Sequence, residues 1–77
     1  MRNAGIGFFP TKAGAVYCKW IIKKLSKEGI WYEVGYITYK NFADTGIAWY
    51  LYRTGYEDSI MQSELLEECL EIAVTLL

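Results

Sequence analysis

The side chains that could do chemistry are few. Asp44-Thr45-Gly46 is a triplet in which the aspartate can act as one half of a carboxylate pair sharing a proton, and a second chain would have to supply the other half. The same three residue types are also what a hairpin turn selects, for local hydrogen bonding and for backbone angles. With a helical pattern before the triplet and no second copy of it, the turn is the stronger reading. Gly5-x-Gly7 is half of a phosphate-cradling glycine loop, but Pro10 occupies the place of the third glycine, so a flexible or closely packed edge is expected instead. Histidine is absent. That removes the commonest general base, and without a Cys-x-x-Cys pair it also removes the usual structural zinc ligands. Cys18 and Cys69, distant in sequence, read as small buried hydrophobes rather than as a disulfide or a nucleophile. Catalysis, a metal and a cofactor are therefore not expected.

Binding chemistry is better represented. Lys12, Lys19, Lys23 and Lys27 recur at a spacing that would place them on one side of a helix, where they form a candidate phosphate-binding stripe. The net charge of −1 conceals an asymmetry, since residues 1–41 sum to +5 and residues 42–77 to −6. Tyr32, Tyr36, Tyr50 and Tyr52 alternate along two β-like runs, and tyrosine offers a large contact area with a hydroxyl that tolerates water.

These groups must be positioned by secondary structure. Residues 30–53 read as a β-hairpin rich in aromatic and β-branched side chains. A register opposing Ile37 with Trp49 and Tyr36 with Tyr50 brings Glu33 opposite Arg53 and leaves residues 41–45 as the loop. Trp31, Ile37, Tyr39, Ile47, Trp49 and Leu51 then share one face, and Tyr32, Val34, Tyr36, Thr38, Ala48, Tyr50 and Tyr52 the other. Residues 4–9 form a short first strand. Residues 12–28 read as an amphipathic helix, entered through Pro10 and an N-cap at Thr11, with Gly14 on its apolar arc and Gly29 as its terminating glycine. A last helix opens at Ser59 with Gln62 completing a capping box. On it Glu64, Glu67, Glu68 and Glu71 fill one narrow arc, while Leu66, Leu70 and eight other apolar residues fill the rest, about twice the usual ~100° stripe.

The expected architecture is a single α+β domain of two layers, strand–helix–strand–strand–helix, with both helices on the Trp49 face. A chain of 77 residues buries only roughly 60% of its unfolded surface, so association would supplement a small core. The N-terminal apolar run is cut by Pro10 and is too short for a secretory signal, and no stretch approaches the ~20 apolar residues of a membrane span, so a cytoplasmic protein is expected. The leading functional expectation is a non-catalytic protein-binding module of inhibitor or adaptor type, itself a homodimer. It would contact partners through Tyr32, Tyr36, Tyr50, Tyr52, Leu66 and Leu70. Single-stranded nucleic acid, bound through the lysine stripe and the sheet tyrosines, ranks second because the chain as a whole is slightly acidic, with a pI near 5.3.

Overall fold

The computed structural model describes residues 5–13, 16–42 and 46–77. Its elements are β1 (Ile6–Ala13), β2 (Val16–Leu25), β3 (Trp31–Phe42), β4 (Gly46–Arg53), β5 (Met61–Ser63) and α1 (Leu66–Leu76). All five strands form one antiparallel sheet in chain order, so each strand lies beside its neighbour in sequence. The domain is therefore mixed, as expected, but it has one helix among the described residues where two were expected.

The helix expected over residues 12–28 is replaced by the end of β1 and the whole of β2. In Val-Tyr-Cys-Lys-Trp-Ile-Ile-Lys-Lys-Leu the β-branched and aromatic residues favour a pleated surface, and they outweigh the 3.6-residue recurrence of apolar positions. Thr11 is not a helix cap; its hydroxyl donates across the β1–β2 ladder to the Lys19 carbonyl at 3.1 Å. Pro10 fits because β1 is an edge strand, where a missing N–H donor is tolerated. Gly14 lies outside the described residues. Gly29 does adopt a positive φ, +84°, but in the turn between β2 and β3. There its N–H reaches the Ser26 carbonyl at 3.0 Å, and the Ser26 hydroxyl accepts from the Ile30 N–H at 3.1 Å.

The β3–β4 register is offset by two residues from the expected one: Ile37 opposes Leu51, Tyr36 opposes Tyr52 and Tyr39 opposes Trp49. An even offset leaves every side chain on its expected face, so Ile37, Trp49 and Leu51 still point together. Arg53 consequently opposes Gly35 rather than Glu33, which sits across from Lys23 on β2 and accepts a hydrogen bond from Thr54 at 3.0 Å. A β-bulge in β3 has a larger effect. The β2–β3 pairing steps from Ile22–Gly35 to Lys23–Glu33, leaving Val34 as the extra residue. Beyond it the alternation reverses, so Trp31 faces the side opposite α1 and Tyr32, opposite Lys24, turns to the other; both were expected the other way round.

The core lies between the sheet and α1. Ile22, Ile37 and Leu51 from three strands are fully buried with Cys69 and Ala73 of α1, and Trp20, Val34, Trp49, Leu66, Leu70 and Leu77 pack around them. Each buried Ile or Leu contributes about 1.5–3 kcal/mol, so these three form the centre of a small core. Cys69 and Ala73, one helical turn apart, are small enough for the helix backbone to approach β4, and the Cys69 thiol lies 3.5 Å from the Trp49 carbonyl.

The helix begins later than expected because Met61–Ser63 pairs with β4 instead, Met61 opposing Leu51 and Ser63 opposing Trp49. Ser59 and Gln62 are thus not a capping box. The Leu65 N–H is met by the Ser63 hydroxyl at 3.0 Å, and that hydroxyl donates to the Glu68 carboxylate.

Candidate ligand-binding face

Helix α1 packs on one side of the sheet, chiefly over β4 and β5, and the opposite side carries the candidate site. Because Ile22 faces the core, its neighbours Ile21 and Lys23 face away, as does Lys19 two residues earlier. On β3 and β4 the same side receives Tyr36, Lys40, Tyr50 and Tyr52. Three of the side chains first assigned to different elements, Lys19, Tyr36 and Tyr52, therefore form one array. The Tyr36 and Tyr52 rings stack across the strands with centroids 5.0 Å apart and planes 14° from parallel. The Lys19 ammonium lies 4.4 Å from the centre of Tyr36. That of Lys40 is 4.9 Å from both Tyr50 and Tyr52 and donates a 2.6 Å hydrogen bond to the Tyr52 hydroxyl. This hydrogen bond holds the Lys40 ammonium above the ordinary lysine value, against the smaller opposing effect of desolvation, so it stays cationic at neutral pH.

Toward the free edge of the sheet the array continues into a second aromatic pair. Phe9 of β1 meets Trp31 of β3 edge to face, with centroids 5.5 Å apart and planes 74° apart, and Lys23 of β2 lies 5.3 Å from the Phe9 ring centre. Exposure separates the two groups. Tyr52 is only 9% exposed and sealed by its neighbours, whereas Phe9 and Trp31 keep 39% and 42% of their surface open.

Charge is segregated with the same geometry. The array side carries Lys19, Lys23 and Lys40 against Glu33, while the α1 side carries Glu67, Glu68 and Glu71 exposed on the helix together with Lys24 and Arg53 on the sheet. The array side is left the more basic of the two.

The remaining candidates lie elsewhere. Lys27 is exposed in the β2–β3 turn, and the side chain of Lys12 lies outside the described residues. Leu66 and Leu70, expected to contact a partner, are partly buried against the core, so their main contacts are internal. Tyr32 is half exposed but separated from the other tyrosines by the bulge. Asp44 and Thr45 lie outside the described residues. No group of three or more potential metal ligands occurs among the described residues, and no helix there is long and apolar enough to cross a membrane. Phe9, Trp31 and Lys40 were missed from sequence. The signal that could have found Phe9, and placed it beside Lys23, is the period-2 alternation of β1 and β2, which an apolar Ile21 on the lysine side obscures.

By fold the described residues form a five-stranded antiparallel meander backed by one C-terminal helix, with a cationic–aromatic array on the sheet side opposite the helix. Comparison with protein-family models, with curated proteins and with solved structures finds no match to it.

Proposed function

We propose that this protein is a binding module whose uncovered sheet face takes single-stranded nucleic acid. The observation that supports this most is the placement of Lys19, Lys23 and Lys40 among aromatic rings on the side of the sheet opposite the acidic helix. Ammonium groups for phosphate beside rings for bases is the combination that single-strand binders use. The sequence argument against nucleic acid was the overall acidity of the chain. It loses force when the acidic groups of α1 lie across the sheet from the lysines. Protein recognition, the leading expectation from sequence, keeps a narrower basis: Leu65 and Leu76 of the helix region are more than half exposed, and α1 carries a shallow groove lined by Leu70, Glu71, Ile72, Val74 and Thr75.

The test is fluorescence anisotropy of a labelled oligothymidine across a salt series. Three lysine–phosphate contacts on a single strand give a slope of about −2 in log K against log salt, which is an affinity loss of roughly 20-fold between 50 and 200 mM. A Lys19→Glu, Lys23→Glu variant should lose binding and flatten the slope. Absent binding at 50 mM salt, or binding with no salt dependence, refutes the proposal and returns priority to a protein partner at the helix.

A further inference from the structure

The uncovered face is not uniform, and the difference bears on where a base would lie. The stacked pair of Tyr36 and Tyr52 is closed by its own neighbours, with Lys19 over one ring, Lys40 over the other, and Tyr52 left 9% exposed. Neither ring offers a free flat surface. The Phe9–Trp31 corner differs in three respects. Both rings are about 40% exposed. The corner reaches the edge strand through Phe9, so a ligand backbone leaving over β1 meets no further strand among the described residues. It also has a floor without a side chain: a Cβ on Gly7 would lie 2.9 Å from Phe9 Cε1 and 3.3 Å from Trp31 Cζ3. The glycine thus lets both rings settle close over the β1 backbone. Trp31 reaches this side only because the bulge at Val34 reverses the alternation of β3.

We infer that Phe9, Trp31 and Lys23 form a base-stacking subsite, in which an unpaired base lies against the exposed Trp31 ring and the adjoining phosphate is met by Lys23. This rests on the nucleic-acid reading above and specifies it. Bases stack on indole without regard to identity, so the subsite is sequence-tolerant, and the lysine ammonium 5.3 Å from the Phe9 centre is placed beside the stack. Lys19, four residues from Lys23 along the same strand and about 13 Å away at strand rise, extends the phosphate track over the sheet.

The experiment compares two probes, an oligothymidine and inorganic polyphosphate, which carries charge without bases. Titration of the oligonucleotide should quench tryptophan emission, and the quench should vanish in Trp31→Phe, because Trp20 and Trp49 pack on the core side. Trp31→Ala should weaken oligonucleotide binding roughly fivefold or more while leaving polyphosphate binding unchanged. Phe9→Ala, on the edge strand, is the second variant and should act in the same direction, with circular dichroism confirming that both variants fold. Oligonucleotide binding that neither quenches Trp31 nor weakens in both variants overturns the subsite and leaves the nucleic-acid reading standing. Equal losses for both probes make the rings structural supports and also overturn it. No binding of either probe refutes the parent reading itself. Tighter binding of a random glutamate–tyrosine copolymer than of the oligonucleotide would make the corner a protein interface, against the inference.

Discussion

Gly35→Ala examines the fit between sheet and helix. Gly35 is buried in β3, opposite Arg53, on the side that faces α1. A Cβ built there would lie 2.5 Å from the Tyr52 carbonyl oxygen and 2.7 Å from Leu77 Cδ1. The two clashes differ in kind. Leu77 is at the end of α1, and its side chain can rotate away at small cost. The Tyr52 carbonyl belongs to the β4 backbone and can retreat only if the β3–β4 ladder opens locally. Overpacking of this kind costs about 1–3 kcal/mol. In a domain of this size each kcal/mol lowers Tm by roughly 4–8 °C, so thermal denaturation followed by circular dichroism should show a fall of at least 4 °C. A double-mutant cycle with Leu77→Ala separates the contributions. If the carbonyl dominates, the penalty of Gly35→Ala persists in the Leu77→Ala background; if Leu77 dominates, it largely disappears. Gly35→Ala with unchanged Tm in both backgrounds would refute the β3–β4 register and the docking of α1 together.

Two further outcomes follow from the titrating groups. Burial, with a smaller contribution from Glu68, pushes the Cys69 thiol above its ordinary value of 9.0, so peptide mapping after alkylation at pH 8 should find Cys69 protected in the folded chain and modified in denaturant. Lys40 is shifted in the same direction by its hydrogen bond to Tyr52. Both groups hold their protons more tightly when folded, so their contribution to stability is complete below pH 9 and declines as pH rises through the alkaline range. Tyr52→Phe should remove the Lys40 part of that decline, and an unaltered alkaline profile would show that the hydrogen bond is not formed in solution.

The parts of this fold that were legible in the sequence were those where pattern and propensity agreed. Residues 35–42 and 46–53 keep one alternation and are rich in aromatic and β-branched side chains, so the hairpin and the face carrying Ile37, Trp49 and Leu51 could be read directly. Its register could not, because an offset of two residues preserves every face and changes only the partners. Residues 16–25 show the opposite situation. Tyr17, Ile21 and Leu25 recur at helical spacing, while Val16, Trp20, Ile21 and Ile22 prefer a strand. The strand alternation was masked because Ile21 sits on the lysine side, half-buried between the neighbouring strands. At residues 59–63 the capping pattern was genuine as local chemistry, but Met61–Ser63 gains a ladder with β4 that a helix there would forgo.

The candidate site depends on those same decisions, which is why its residues were legible singly and not together. With β2 read as a helix, the lysines and the tyrosines belong to different layers and suggest different partners. With β2 in the sheet, Lys19 and Lys23 fall between β1 and β3, where side chains on one face of adjacent strands are neighbours. One element therefore changes the chemistry of the whole face, from a tyrosine surface suited to protein contact to a cationic–aromatic one suited to a polyanion with flat bases. The bulge at Val34 acts on the same scale. No propensity marks it, yet moving one residue out of register exchanges Trp31 for Tyr32 on the uncovered side. A variant that deleted Val34 would restore the simple alternation, carry Trp31 away from Phe9, and remove the exposed aromatic corner while the Lys19–Tyr36–Tyr52–Lys40 array, on the other side of the bulge, kept its pairing with β4.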